Sequence, residues 1–252
     1  MKHTQSLSEL TRNAEQILVI MAHPDDETIH CGGTLIRAAQ ESIPTVVFVA
    51  TNGELGIIGN TDKKQVQTIR RHELEKAIRL LHSRLINEPL FADGTLFHQK
   101  SELKKKLAHL LEMNPRSILI THDPSGFTNH PDHIALSECL HQVWKNTFWQ
   151  KHQLLFAVKN QAEKDLYSLL YPLRDLSNMP TPNISIDVSS VMDKKRSILS
   201  IYSSQQLLHP LGINQKQLFQ FFQKEQYHVA NRASEYRFNY SNFTGSNLEY
   251  KI

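Results

Sequence analysis

One histidine and three carboxylates fall within five positions at His23-Pro24-Asp25-Asp26-Glu27, and a second dense turn, His130-Pro131-Asp132-His133, follows more than a hundred residues later. Like charges packed this closely repel and raise one another's pKa, so the first cluster calls for a positive partner. Imidazole nitrogen and carboxylate oxygen are donors that zinc prefers, and hydrolytic sites use three protein ligands with the fourth position left to water. His23 and Asp26, with His133, would supply two imidazoles and one carboxylate. Asp25 and His130 would then be left for proton chemistry beside the metal, and the ion would balance the acidic cluster. Each turn alone has an ordinary reading, because proline early in a helix and aspartate near its positive end both favour a helix start. The pairing shifts the balance, since each turn holds a histidine three residues from another potential ligand. Spacing alone does not separate the jobs of the two aspartates.

Such turns need strands to place them together. Apolar runs at residues 17–22, 45–51 and 117–121 read as buried strands, with 85–92 a short third strand in chain order and 154–158 a fifth. Helical periodicity fills the intervals at 28–40, 64–83, 101–113 and 133–144. This β-α-β-α alternation predicts an α/β fold, a Rossmann-like, mostly parallel sheet with helices on both faces. Ligands then collect at the carboxyl ends of the strands. HPDDE, TNGE and THDPSGFTNHPDH all stand there. The tail is less regular, with a strand expected at 183–188, a helix at 192–202 and an aromatic-rich helix at 215–224. Beyond Tyr227 the polar sequence reads as loop and terminal strand.

Composition narrows the function classes. The 28 basic and 25 acidic side chains leave a formal charge of only +3, and the Lys104-Lys105-Lys106 cluster is broken up by apolar neighbours as a solvated helix face, so nothing demands nucleic acid. Cys31 and Cys139 stand far apart in no metal-like pair, and no disulfide framework is indicated. Residues 1–15 read as a polar N-terminal extension without the apolar core of a signal peptide. No run approaches the roughly 18 apolar residues of a membrane span. The expectation is one domain over residues 1–252 in a cytoplasmic protein, with a homo-oligomer compatible with it.

The motifs also carry a family resemblance. AHPDDE (22–27), CGGTL (31–35), TNGELG (51–56) and GFTNHPDH (126–133) resemble, in order, the PIG-L/LmbE-like family of zinc-dependent N-deacetylases. KKRSILSIYSSQ (194–205) is more weakly similar to the family's lysine-rich helix ending in Ser-Gln. That family includes bacterial enzymes acting on N-acetylglucosaminyl conjugates in thiol biosynthesis, and the eukaryotic enzyme acting on N-acetylglucosaminyl-phosphatidylinositol. The resemblance implies a hydrolase that removes the acetyl group from a small acetamido-sugar conjugate. It implies that His23, Asp26 and His133 bind Zn2+ and that Asp25 is the general base. His130 would stabilise the oxyanion or protonate the leaving amine, with Asp132 orienting or polarising it. Arg70, in RRHEL (70–74), would approach the sugar, and Asp93, in FADG (91–94), would accept hydrogen bonds from its hydroxyls. The ordinary alternatives are an i,i+3 pair of Arg70 with Glu73 and an Asp-Gly turn at Asp93. One departure stands out, because Thr128-Asn129 replaces the Tyr-Gly that thiol-pathway members often carry before HPDH.

Other readings share parts of this pattern. An amidase acting on a different amide, such as a thiol conjugate, would use the same apparatus, and ligand type alone does not separate zinc from iron or cobalt. A non-catalytic sugar- or nucleotide-binding module is disfavoured because no G-x-G-x-x-G follows the first strand. Gly32 and Gly33 lie too deep in the helix to cradle phosphate and fit close helix–sheet packing instead. A structural zinc site is disfavoured because only three good ligands converge. His122 and Asp123 are expected to support their turn. Trp144, Phe148 and Trp149 read as core or interface, and Phe219, Phe221 and Phe222 as a packing helix. Tyr202, Gln205 and His209 stand where they could border the pocket.

Overall fold

The strands number in chain order β1 His3–Thr4, β2 Gln16–Met21, β3 Thr45–Val49, β4 Arg84–Leu85, β5 Ser117–His122, β6 Gln153–Val158, β7 Ile184–Asp187 and β8 Lys224–Val229. They belong to a computed structural model that describes residues 3–4, 6–56, 61–86, 91–147, 151–170, 175–205, 223–238 and 240. All eight join one sheet in the order β1-β7-β8-β6-β5-β2-β3-β4. From β6 across to β4 every pairing is parallel, while β8 runs antiparallel to both β6 and β7. Val19 sits at the centre, paired with Val47 on one side and Ile120 on the other. The chain leaves β2 for β3 and β4, then returns to lay β5 and β6 on the opposite side. That reversal opens a crevice beyond the carboxyl ends of β2 and β5, where α/β sheets bind ligands.

The helices are α1 Leu7–Leu10, α2 Asp26–Gln40, α3 Lys63–Leu80, α4 Lys100–Glu112, α5 Gly126–Asn129, α6 Pro131–Asn146, α7 Gln161–Leu170 and α8 Met192–Leu199. They cover both faces, as an all-buried parallel sheet requires. Ile17, Val19 and Met21 pack with Leu35 of α2, Leu74 of α3 and Ile198 of α8. The alternate residues Leu18 and Ile20 pack with Leu107 of α4 and Leu140 of α6. Residues 7–10, expected as polar extension, instead contribute Leu7 and Leu10 to the first of these layers.

Gly33 lets α2 approach the sheet closely. A Cβ there would lie 2.6 Å from Val188 Cβ and 2.9 Å from its Cγ2, just past the end of β7. Gly33→Ala is therefore expected to destabilise the chain by about 1–3 kcal/mol, the usual cost of overpacking, read as a lower Tm or denaturation midpoint.

Three expectations need adjustment. The third strand is the two-residue β4, followed by a bridge from Thr51 to Phe91; residues 87–90 lie outside the described ones. The expected helix at 215–224 falls mainly there too, with Phe219, Phe221, Phe222 and His209, as do Phe148 and Trp149. Lys224 itself opens β8. This strand reads as surface in the sequence because its inward residues are polar. Glu225 and Tyr227 point at α2, where they hydrogen-bond Gly33, Thr34 N–H and the Thr34 hydroxyl. Among the described residues no helix is long and apolar enough to cross a membrane.

Candidate active site

The HPDDE turn joins β2 to α2, and HPDH opens α6 just after β5 and the short α5. Asp26 and Glu27 occupy the first turn of α2 and Asp132 that of α6, where carboxylates suit the positive helix end. His130 caps α6, its Nδ1 accepting the Asp132 N–H at 3.2 Å, and Pro131 begins the helix. Asp25 has a positive φ of 106°, a sparsely populated conformation for a non-glycine residue that commonly marks functional sites.

The two turns meet through three atoms. His23 Nδ1 lies 3.0 Å from His133 Nε2 and 3.5 Å from Asp26 Oδ2, and His133 Nε2 lies 3.3 Å from the same oxygen. Two ligands of one tetrahedral first-row metal, each about 2.0–2.2 Å from it, stand about 3.3–3.5 Å apart. The donor set and its spacing therefore fit such an ion. His133 Nδ1 is 3.0 Å from the Gly126 carbonyl, a contact that fixes a ligating ring and its tautomer. His130 also groups with His23 and His133 within 4.8 Å.

Electrostatics separates the two aspartates. Burial pushes the Asp25 carboxyl well above the usual carboxylate range, opposed by Arg70 and reinforced by Asp26 and Glu27. For Asp26 burial acts the same way, but His133 and His122 outweigh it and hold the group well below that range. Asp25 is thus the group suited to take up a proton, and Asp26 the one suited to stay ionised. Burial, with His23 and His133 beside it, pushes the His130 imidazole well below its ordinary range. With Nδ1 accepting from Asp132, the neutral ring carries its proton on Nε2. These surroundings favour a neutral His130 with an Nε2–H donor.

Arg70, from α3, is buried, and its guanidinium spans the base of the site. Its Nη2 donates to Pro24 O at 2.6 Å and lies 3.2 Å from Asp25 Oδ2, while Nη1 donates to Gly53 O at 2.9 Å. Gly53 has φ 66°, and a Cβ there would lie 2.4 Å from Arg70 Nη1, so the TNG turn leaves this space for the guanidinium. Glu73 does not pair with Arg70 as an i,i+3 partner; it accepts from Ser203 and Ser204. Asp93 is 8% exposed, with Oδ2 accepting from Leu55 N–H at 3.0 Å and Oδ1 3.0 Å from His23 Nε2. Asp132 accepts from the Gly94 and Leu96 amides at 2.8 and 3.0 Å. Its contact with His130 runs through its own backbone N–H.

Several residues do more than their sequence context indicates. His122 is fully buried, stacks on His133 with ring centroids 3.8 Å apart, and places Nε2 3.3 Å from Asp26 Oδ2. Burial and the neighbouring His133 hold it down to about 4, so it is neutral. As the last residue of β5 it points between the two turns, a place that the strand assignment alone could have flagged. Glu27 accepts the Asp25 N–H at 3.1 Å and hydroxyls of Thr28 and Tyr202 at 2.5 Å each, tying the strained Asp25 backbone to the 194–205 segment. Asn129, with φ 56°, uses its amide nitrogen on Ser125 O and Asp175 O. It substitutes for a flexible glycine conformation rather than for a tyrosine hydroxyl.

The comparisons with known proteins agree with this geometry. Residues 18–144 match the family described as PIG-L, GlcNAc-PI de-N-acetylase. A Bacillus anthracis protein named as a probable N-acetyl-alpha-D-glucosaminyl L-malate deacetylase 2 is 26% identical over 200 residues, covering 77% of this chain and 83% of that one. A 1D-myo-inositol 2-acetamido-2-deoxy-alpha-D-glucopyranoside deacetylase of Rhodococcus erythropolis is 32% identical over 151 residues, covering 50% of this chain and 51% of that relative. Against that second protein, therefore, the match spans about half its length. The solved N,N'-diacetylchitobiose deacetylase from Pyrococcus horikoshii superposes with a TM-score of 0.62 at 18% identity, over 90% of this chain and 88% of that one. At that identity the likeness shows the fold alone. The family match covers both histidine-aspartate turns and the crevice between them, and the chain belongs to the PIG-L family.

Proposed function

We propose that this chain is a zinc-dependent N-deacetylase that removes the acetyl group from an N-acetylglucosamine-type conjugate. One observation carries the reading: His23 Nδ1, Asp26 Oδ2 and His133 Nε2 stand 3.0–3.5 Å from one another with the buried Asp25 beside them. The deacetylase names of the relatives supply the reaction class. His23, Asp26 and His133 would hold the ion. A zinc ion so held supplies Lewis acidity, lowering the pKa of water from 15.7 toward about 7 and polarising an acyl oxygen.

The protein's own groups do the rest. Asp25, kept basic by burial, takes the proton of the attacking water. Arg70 steadies that carboxylate and the Pro24 carbonyl before it. The Nε2–H of neutral His130 donates to the oxygen on which negative charge develops, a contribution that is often the largest in acyl transfer. Protonation of the amide nitrogen by Asp25 or His130 lets the carbon–nitrogen bond break, releasing acetate and a free amine. Acetate release from N-acetylglucosaminyl substrates by metal-reconstituted protein is the test. Turnover that chelator abolishes and added zinc restores is expected; no release from any acetamide, despite stoichiometric bound zinc, would sink the deacetylase reading.

A further inference from the structure

We infer that Glu27, backed by Tyr202, is a positioning residue that holds the Asp25 backbone so that its carboxylate is turned away from α2 and free for the site. This rests on the reading of Asp25 as the base. Asp25 is the N-cap residue of α2. An aspartate there ordinarily has an extended backbone and uses its carboxylate to accept an N–H of the first turn. Asp25 does neither. Its φ and ψ are 106° and −32°, and its side chain makes no bond to the helix end. The other described non-glycine residues with positive φ stand at 50–59°, in the ordinary left-handed region. A backbone as unusual as that of Asp25 persists only where its surroundings over-determine it.

The peptide planes on either side of Asp25 are both held. The plane joining Pro24 to Asp25 is gripped at each end, its oxygen accepting from Arg70 Nη2 at 2.6 Å and its N–H donating to Glu27 Oε2 at 3.1 Å. The next plane is held through Asp25 O, which accepts the Thr28 and Ile29 N–H groups at 3.0 and 2.9 Å. With both planes fixed, the two dihedrals between them are fixed as well. Glu27 is itself anchored, because its other oxygen accepts the Thr28 and Tyr202 hydroxyls at 2.5 Å each. Glu27 and Tyr202 are buried, at 0% and 1% exposed. The two residues after Tyr202 are tied to α3, Ser203 and Ser204 donating to Glu73. Burying a carboxylate is costly, and an aspartate cap in its usual conformation would satisfy the helix end without it. What the arrangement adds is an Asp25 carboxylate left free of the helix.

The test uses the full-length chain isotope-labelled in its aspartate amides, the Asp25 signal being assigned by its loss in Asp25→Asn. Glu27→Met keeps the length of the side chain and removes both oxygens. It is expected to speed hydrogen exchange of the Asp25 amide by about tenfold or more, the loss of one hydrogen bond to a charged group. At saturating zinc it is expected to lower kcat by about 10–100-fold, with KM and the single bound zinc unchanged. Glu27→Gln keeps an oxygen for the Asp25 N–H and is expected to recover most of that kcat. Because Glu27 acts through Asp25, Glu27→Met in the Asp25→Asn background is expected to cost less than about twofold more. Equal losses in the two backgrounds would overturn the inference, as would a raised KM with kcat unchanged or an unchanged exchange rate at Asp25. Should Glu27→Met fold poorly, Tyr202→Phe, matched to wild type in circular dichroism and Tm, is expected to speed that exchange by about threefold or more and to lower kcat. No change in either overturns the proposal. A wild type that shows Glu27-dependent protection of the Asp25 amide but releases no acetate would sink the deacetylase reading and leave the positioning role standing.

Discussion

Replacing Asp25 with asparagine is expected to lower kcat by about 10²–10⁴-fold, the range that a positioned general base contributes, while leaving one metal ion bound. The substitution is conservative in shape. Asparagine carries the same Cβ and planar end group as aspartate, so it brings no new steric demand to the backbone at φ 106°. Its side-chain oxygen can still accept from Arg70, which stands 3.2 Å from Asp25 Oδ2. What disappears is the capacity to take a proton. Metal analysis beside steady-state kinetics gives the decisive pairing, because loss of metal together with activity would make Asp25 a ligand and reverse the roles of the two aspartates. Arg70→Lys is the informative companion. A lysine has no planar fork to serve Pro24 O, Gly53 O and Asp25 at once, so a fall in kcat is expected there too, smaller than for Asp25→Asn.

How much of this was legible follows from where each interaction originates. β2, β3, β5 and β6 are buried on both faces and so read as unbroken apolar runs, and the turns after β2 and β5 announce themselves by charge density. His23, Asp25, Asp26, His130, Asp132 and His133 are accordingly visible without coordinates. The contacts of Arg70 and Asp93 are not, because each depends on which loop its side chain reaches across. Arg70 meets Pro24 and Gly53, and Asp93 meets His23 and Leu55. No local pattern encodes those meetings. β8 was obscured for a related reason: its Lys-Glu-Gln start looks solvated, yet Glu225 and Gln226 are buried. Glu27 reads as a helix-start carboxylate and is that, but its contacts to Asp25 N–H and Tyr202 show why the weakly matched 194–205 segment matters to the site.

The same segment supplies the largest expected effect on stability. Lys195 of α8 and Glu225 of β8 are 3% and 5% exposed and stand 2.7 Å apart. Glu225 accepts the Gly33 and Thr34 N–H groups at 2.7 Å each, and Lys195 Nζ donates to Ile29 O at 2.9 Å. The pair therefore grips α2, the helix that begins at Asp26, and the lysine stem packs on Gly32. Removing one member of a buried ion pair leaves the other uncompensated and costs about 3–5 kcal/mol. Lys195→Met should fall at the lower end, since Glu225 keeps its amide donors and the Tyr227 hydroxyl. Glu225→Gln should fall at the upper end. An amide presents one acceptor and one donor where two N–H groups point, and it also strands the ammonium. At roughly 2–4 °C per kcal/mol for a chain of this size, each single variant is expected to lower Tm by roughly 6–20 °C. The double variant buries no net charge, so its loss should be smaller than the sum of the two, a coupling that a double-mutant cycle reads directly. Additive losses of under about 1 kcal/mol each, as exposed ion pairs give, would show that the pair does not hold α2 and that the approach of this helix to the sheet is set by Gly33 and the apolar layer alone.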